Sequence, residues 1–194
     1  MILWRLRRLF LRTEIFYMQQ LTHNNAFIDG QNIETGLFLK NLELDYQELF
    51  LYLQKVFKVK QVFYCIKFSN QPQRQKLYKE LEDIGYNLIF SSALGNFKNN
   101  VLKVNVDADL IVRTMQEFYE NGSFGLVLLS GDGDFVPLTR FFESKRCFVK
   151  IIGADKDSTS KMLEFDRFTK TSRPISYIFP DLQKLTKKIS STFV

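Results

Sequence analysis

Apolar runs without a polar face alternate with helical segments from residue 24 onward, and this alternation constrains the fold most strongly. The runs are rich in β-branched and aromatic residues and predict buried strands at Asn25–Asp29, Gln61–Phe68, Tyr86–Ser91, Gly125–Leu129 and Phe148–Ile152. Such strands, when they alternate with helices, are typical of a parallel sheet that is covered on both faces. Right-handed crossovers then predict an open, doubly wound α/β fold with about five strands.

The segments between the strands predict helices and one long loop. Helical spacing or end signals mark Leu44–Val59, Gln71–Gly85, Asp107–Asn121, Phe135–Arg146 and Ser158–Phe168. We expect a polar loop over Leu94–Val106 and a last strand at Ile175–Phe179. Residues 24–180 contain no linker rich in Pro, Gly or Ser, so we expect them to form a single domain, followed by a basic C-terminal helix or tail over residues 181–194.

The first 23 residues differ from the rest in charge. The chain carries a formal net charge of +6, and Arg5, Arg7, Arg8 and Arg12 all precede Met18. One interpretation is a basic amphipathic helix that lies on a membrane surface or on nucleic acid. The other, which we favour, is a disordered tail or an over-extended start, with Met18 as the first residue of the protein. Without this segment the chain is only mildly basic, which supports a polyanionic partner weakly.

The scarcity of histidine removes several kinds of chemistry. His23 is the single histidine of the chain, so a Ser-His-Asp triad, a Cys-His dyad and a His-rich zinc site are all disfavoured. Cys65 and Cys147 lie in apolar, strand-like runs and predict buried free thiols in a reducing compartment, which indicates the cytoplasm. No apolar run approaches the roughly 18 residues of a membrane span, so an integral membrane segment is not expected.

The common nucleotide and calcium motifs do not occur. The chain contains neither G-x-G-x-x-G after the first strand nor G-x-x-x-x-G-K-[ST], which disfavours a dinucleotide oxidoreductase and a P-loop NTPase. The segment around Asp132 is too short for an EF-hand and has no glutamate at the twelfth position.

Carboxylates instead follow two of the predicted strands. Asp29 ends the first strand, while Asp132 and Asp134 come just after Gly125–Leu129. Ligands of open α/β sheets bind at the carboxyl ends of the strands, near the topological switch point, so these aspartates meet in one crevice if the strands are neighbours. Asp107 opens the next helix on its apolar face and points toward the crevice. Asp109 points away, and we expect it to pair with Arg113 in solvent.

Two of these aspartates also have an ordinary explanation. Asp107 is a favourable charge at a helix N-terminus, and Asp134 is a suitable N-cap for the helix that contains Pro137. Taken together, however, clustered carboxylates repel one another unless a cation is present. A cluster of carboxylates without histidine suits Mg²⁺ or Mn²⁺, and the chemistry that follows is metal-assisted phosphodiester hydrolysis.

Four segments in this order, FIDGQNI, KVNVDADL, LLSGDGDFVPL and STSKMLEFDRF, resemble the NYN domain family, specifically its LabA-like branch, over about residues 25–180. The resemblance implies a PIN-like, Rossmann-like nuclease fold. It implies metal ligands and catalytic groups at Asp29, Asp107, Asp132 and Asp134, and substrate-binding roles for Asn32, Ser130 and Lys103. The later Ser160 with Leu163, and Asp166 with Phe168, match elements that we take as mainly structural.

The resemblance leaves more than one function open. The first is a metal-dependent endoribonuclease that hydrolyses RNA with Mg²⁺ or Mn²⁺. The alternative is a non-catalytic nucleic-acid-binding or regulatory protein, and a small-molecule phosphohydrolase would share the metal chemistry. The intact set of aspartates favours the ribonuclease. The sequence leaves the oligomeric state open, a homo-oligomer included.

Overall fold

A parallel sheet forms the centre of the computed structural model, which describes residues 23–91, 93–95, 102–104, 106–154, 159–160, 163 and 185–188. Its strands lie in the order β4-β3-β1-β7-β8. Their bounds are β1 Asn24–Asp29, β3 Val59–Lys67, β4 Asn87–Ser91, β7 Gly125–Leu129 and β8 Phe148–Ile152. All four pairings are parallel, so the predicted open parallel sheet is confirmed.

Helices cover both faces of this sheet. They are α1 Gly30–Phe38, α2 Tyr46–Phe57, α3 Pro72–Ile84, α4 Val106–Glu120 and α5 Val136–Ser144. Helices α1, α2 and α3 bury Ile33, Leu49 and Leu81 on one face, and α4 and α5 bury Leu110 and Phe142 on the other. In the described part of the chain, no helix combines the length and the apolar character needed to cross a membrane.

Alternating side chains of the central strands supply the two cores. Ala26 and Ile28 of β1 join the core under α1 to α3, whereas Phe27 joins the core under α4 and α5. The Phe27 ring stacks on the Phe63 ring, with centroids 4.6 Å apart. Because both faces of these strands are buried, they carry no polar face, which explains the continuous apolar runs in the sequence.

Three local features differ from the prediction. Helix α1 was not predicted, and it begins directly where β1 ends. The expected polar loop over Leu94–Val106 is wrong in part, because β5 Ala93–Gly95 and β6 Leu102–Val104 form an antiparallel pair there. These strands are too short to show an alternating pattern in the sequence.

The third difference lies near the C-terminus. Strand β9, Thr186–Lys188, pairs antiparallel with β2, Leu42–Leu44, so these residues are not in the helix or tail expected for 181–194. The carbonyl oxygen of Leu185 accepts a hydrogen bond from the backbone N–H of Asp45, which holds the two segments together. A pairing between segments so distant in the chain leaves no local signal. The strand expected at Ile175–Phe179 and residues 1–22 lie outside the described residues.

Candidate metal centre

The site begins where β1 and β7 end side by side. Ile28 pairs with Leu129 in register, so the next residues, Asp29 and Ser130, lie opposite each other. Asp29 is only 3% exposed, and both of its carboxylate oxygens accept hydrogen bonds. Oδ1 accepts from the backbone N–H of Asn32 at 3.1 Å, which makes Asp29 the N-cap of α1, and Oδ2 accepts from the Ser130 hydroxyl at 3.1 Å. Asp29 therefore fastens the start of α1 to the end of β7.

Asn32 and Ser130 position the loop that follows β7. The side-chain oxygen of Asn32 accepts from the backbone N–H of Gly131 at 2.8 Å. The buried Ser130 hydroxyl accepts from the backbone N–H of Asp132 at 3.1 Å. The carbonyl oxygen of Gly131 accepts from the backbone N–H of Ser160 at 2.8 Å, so the loop is held from both sides. These bonds fix the backbone from which Asp132 and Asp134 extend.

Three carboxylates converge beside this loop. Asp107, Asp132 and Asp134 each offer an oxygen, and these oxygens lie within 4.8 Å of one another. Asp107 comes from the first turn of α4, as its helix face predicted, and Asp134 is exposed. Burial raises the pKa of Asp107, and the charges of Asp132 and Asp134 raise it further. Such mutual repulsion in a small space is what a cation would relieve.

The turn after β7 is capped by a different residue from the one expected. Oδ1 of Asp132 accepts from the backbone N–H of Asp134 at 2.9 Å, so Asp132 caps the short 3-10 helix Gly133–Phe135. Asp134 does not cap the following helix, whose N-cap position is held by Phe135. Asp134 is therefore not accounted for by capping.

Asp29 lies next to the three carboxylates but is bound differently. Its pKa is raised from 3.8 to about 6, chiefly by burial and further by the charges of Asp107 and Asp132. The hydrogen bonds from Asn32 and Ser130 offset part of that rise. Since both oxygens of Asp29 already accept protein hydrogen bonds, its position suits holding the site together better than direct coordination.

Asp109 differs from its prediction. It lies outside the three-carboxylate group, as expected, but it is half-buried and accepts a hydrogen bond from the Ser91 hydroxyl at the end of β4. Arg113 forms its salt bridge with Glu117, at 2.6 Å, rather than with Asp109. The prediction was based on residue spacing within one helix, and such spacing does not reveal a hydrogen-bond partner on a strand.

An open cleft of about 410 Å³ adjoins the carboxylates. It is lined by residues from β1, α1, α4 and the β7 loop: Asp29, Gln31, Asn32, Thr35, Gly36, Leu39, Val106, Asp107 and Asp132. Sequence reasoning missed Gln31, Thr35 and Leu39 because it did not predict α1. Ile33 and Leu37, four residues apart after an Asp cap, are the signal that could have found this helix.

The remaining residues that the sequence singled out lie elsewhere in the chain. Lys103 lies in β6, where its backbone pairs with Leu94, and its side chain lies outside the described residues. Leu163 is fully buried against the core under α4 and α5, and its backbone N–H donates to the Ser160 carbonyl at 3.0 Å. Asp166 and Phe168 lie outside the described residues. Cys65 and Cys147 are buried free thiols, as predicted.

The donor set fits a hard divalent cation. The group formed by Asp107, Asp132 and Asp134 offers oxygen ligands without a histidine or a thiol. Mg²⁺ and Mn²⁺ prefer such ligands, whereas zinc sites use mostly nitrogen and sulfur. The exposed position of Asp134 keeps the group open on one side, so water and substrate oxygens could complete the coordination.

Comparison with known proteins identifies the family. The model of the NYN domain matches residues 25–172. The chain belongs to the NYN domain family. NYN domains belong to a nuclease superfamily, and NYN nucleases typically depend on divalent metals. A comparison of the sequence with curated proteins found no match.

A solved structure shares the fold of this NYN domain. It is the crystal structure of VPA0982, a protein of unknown function from Vibrio parahaemolyticus RIMD 2210633. The two chains are 20% identical, with a TM-score of 0.62, and the similarity covers 75% of this chain and 90% of that one. At this identity the similarity shows the α/β fold alone.

Proposed function

We propose that this NYN protein is a metal-dependent endoribonuclease that hydrolyses phosphodiester bonds of RNA. The observation that carries the proposal is the convergence of Asp107, Asp132 and Asp134, whose oxygens lie within 4.8 Å of one another at the carboxyl edge of the sheet. Membership of the NYN family supports a nuclease, and the resemblance to its LabA-like branch remains a prediction.

The three carboxylates would hold Mg²⁺ or Mn²⁺. A cation bound there supplies Lewis-acid stabilisation of the phosphate and lowers the pKa of a coordinated water. The chain's own contribution is positional: Asp29, Ser130 and Asn32 hold the loop that carries Asp132. No protein nucleophile is needed for this chemistry, which agrees with a site composed of carboxylates.

Two observations support RNA as the substrate. The chain from Met18 onward is still mildly basic, which favours a polyanion, and the NYN resemblance favours RNA as that polyanion. We place the protein in the cytoplasm on the basis of its free thiols, which are stable under reducing conditions.

The test is cleavage by the full chain with matched variants. Unpaired RNA, structured RNA, DNA and a phosphomonoester are each incubated with the protein in Mn²⁺, in Mg²⁺ and in EDTA. Asp132→Asn removes a ligand charge while it keeps the side-chain shape. Asp83→Asn, an exposed position at the end of α3, is the control for a lost carboxylate.

The proposal predicts RNA cleavage that requires metal, is lost in Asp132→Asn and is unchanged in Asp83→Asn. Cleavage that survives both EDTA and Asp132→Asn would overturn it. RNA binding without cleavage by the wild-type protein under every metal condition would favour the regulatory alternative. Preferential hydrolysis of the phosphomonoester would favour the phosphohydrolase.

A further inference from the structure

One face of α1 carries exposed side chains that continue the metal cleft. Gln31, Thr35, Phe38 and Leu39 are exposed, and they follow helical spacing along one side of the helix. At 3.6 residues per turn they fall within an arc of about 100°. The buried residues Ile33 and Leu37 lie on the opposite side. We call the four exposed residues the α1 stripe.

The α1 stripe starts at the metal cleft and changes in character along its length. Gln31, Thr35 and Leu39 all line the cleft that also contains Asp107 and Asp132. The first two offer hydrogen-bonding groups, and the far end is apolar. A helix rises about 1.5 Å per residue, so Leu39 lies about 12 Å along α1 from Gln31.

The apolar end of the stripe is unusually exposed. Leu39 is 71% and Phe38 is 69% exposed, the highest values among the large apolar side chains of the described residues. Phe38 lines the neighbouring cavity, of about 1140 Å³, rather than the cleft; Thr35 lines both, so the two cavities adjoin at the stripe. Adjacent exposed apolar groups beside a polar cleft are typical of a ligand-binding surface.

We propose that the α1 stripe binds an unpaired stretch of the RNA substrate, with Phe38 and Leu39 packing against a base of that RNA further from the carboxylates. The inference rests on the proposed function, because it takes the three carboxylates as the place of cleavage. An unpaired strand fits, since its bases can leave the stack and pack on an aromatic side chain, whereas paired bases cannot. Gln31 and Thr35 lie between the carboxylates and the apolar end, where they can donate hydrogen bonds to the sugar-phosphate backbone.

The acidic cleft also explains why an apolar contact is useful there. Asp29, Asp107 and Asp132 repel a phosphate until a cation is bound, so the cleft itself contributes little attraction to a polyanion. Contacts with a base are independent of charge. The α1 stripe thus adds affinity for the RNA and determines which nucleotide enters the cleft.

The kinetic test compares an RNA with a diester that has no base. The double variant Phe38→Ala with Leu39→Ala is assayed in Mn²⁺ on a short unpaired RNA and on a phosphodiester oligomer of propanediol, which carries no base and no aromatic ring. Val56→Ala is the control, because Val56 is 54% exposed and lies near the end of α2, just before β3 begins, at the amino ends of the strands and away from the carboxylates. We expect the double variant to lower kcat/KM on the RNA about tenfold, the usual scale for loss of one stacked base, and to leave diester hydrolysis unchanged. The control should retain both activities.

A second measurement tests the stripe independently of cleavage. Phe38→Trp and, as the control, Tyr119→Trp are made with Trp4→Phe, so that each protein has a single tryptophan. Tyr119 is exposed near the end of α4, which precedes the start of β7, so it lies at the amino ends of the strands and away from the carboxylates. Unpaired RNA is added in Ca²⁺, which also takes oxygen ligands. We expect quenching of fluorescence for Phe38→Trp and none for Tyr119→Trp.

The outcomes separate the two proposals. Unchanged RNA cleavage by the double variant overturns the stripe and leaves the nuclease intact. An equal loss on both substrates also overturns it, because the variant has then disturbed the metal site. If the wild-type protein cleaves neither substrate, the nuclease proposal fails. Fluorescence then decides the stripe alone: quenching at Phe38→Trp supports it, and its absence overturns it.

Discussion

Replacement of the buried Asp29 by asparagine should stabilise the metal-free protein near neutral pH. The amide keeps an oxygen to accept the hydrogen bond from the Asn32 backbone. On the other side, the Ser130 hydroxyl must rotate so that its oxygen accepts from the new amide, at a cost of about 1 kcal/mol. The gain is removal of a buried charge that lies close to Asp107 and Asp132.

The size of this gain follows from the pKa of Asp29. Folding raises it from 3.8 to about 6. At about 1.4 kcal/mol per unit, the folded state loses about 3 kcal/mol relative to the unfolded state when Asp29 ionises. Because folding raises this pKa, the contribution of Asp29 to the free energy of unfolding is highest below pH 3.8. It falls as the pH rises toward 6 and then stays level. Net of the rotated hydroxyl, Asp29→Asn should gain about 2 kcal/mol at pH 7.

Chemical denaturation in EDTA measures this difference. The free energy of unfolding is determined for wild type and Asp29→Asn at several pH values between about 4 and 7. The pKa of Asp107 is raised by burial and by Asp132 and Asp134, which both proteins contain, so its contribution largely cancels in the comparison. The wild type should lose up to about 3 kcal/mol more than the variant over this range.

A parallel pH dependence for the two proteins would refute this account of Asp29. It would mean that the carboxylate ionises in the folded state near its ordinary pKa. Repeating the series in Mg²⁺ is a further check. A cation bound beside Asp29 offsets its charge, so the difference between the proteins should shrink.

Three other changes have defined outcomes. Gly30→Ala should destabilise the protein by about 1–3 kcal/mol and lower activity, because a Cβ on this first residue of α1 would clash with the Tyr64 ring, 2.8 Å from its Cζ, and would lie 2.9 Å from the Cys65 carbonyl oxygen; an unchanged Tm would contradict this. Glu34→Ala should lower the free energy of unfolding by about 1–3 kcal/mol, because the buried Tyr64 hydroxyl loses its hydrogen-bond acceptor and Arg74 loses its ion pair. Equal stability of wild type and variant in denaturant would contradict this and would show that water replaces the carboxylate. A protein that starts at Met18 should keep its turnover at saturating RNA and bind with a shallower salt dependence, since the four preceding arginines are lost; loss of turnover with normal binding would show that residues 1–17 contribute to the active site.

The sheet and most of the candidate site could be predicted because their signals are local. Strands buried on both faces are continuous apolar runs, and Asp29, Asp132 and Asp134 follow such runs directly. Asp107 could be assigned from its spacing to the apolar face of α4. The parallel order of the sheet then brings these residues to one edge.

The features that sequence reasoning missed depend on contacts between distant segments. Asp109 binds Ser91 at the end of β4, and no spacing within α4 could reveal that partner. The pairing of β2 with β9 joins strands that are far apart in the chain. Helix α1 is short and begins directly after β1, and its apolar spacing is carried by Ile33 and Leu37 alone. Leu39 and the rest of the α1 stripe were missed for the same reason.

The most direct measurement of the central claim is anomalous diffraction from crystals of the protein soaked in Mn²⁺. The account predicts a peak among the carboxylates of Asp107, Asp132 and Asp134, at about 2 Å from their oxygens, and no peak at that place in Asp132→Asn. Two results would contradict the account: a crystal soaked in saturating Mn²⁺ that shows no manganese peak among these three aspartates, or a peak that persists unchanged in the variant.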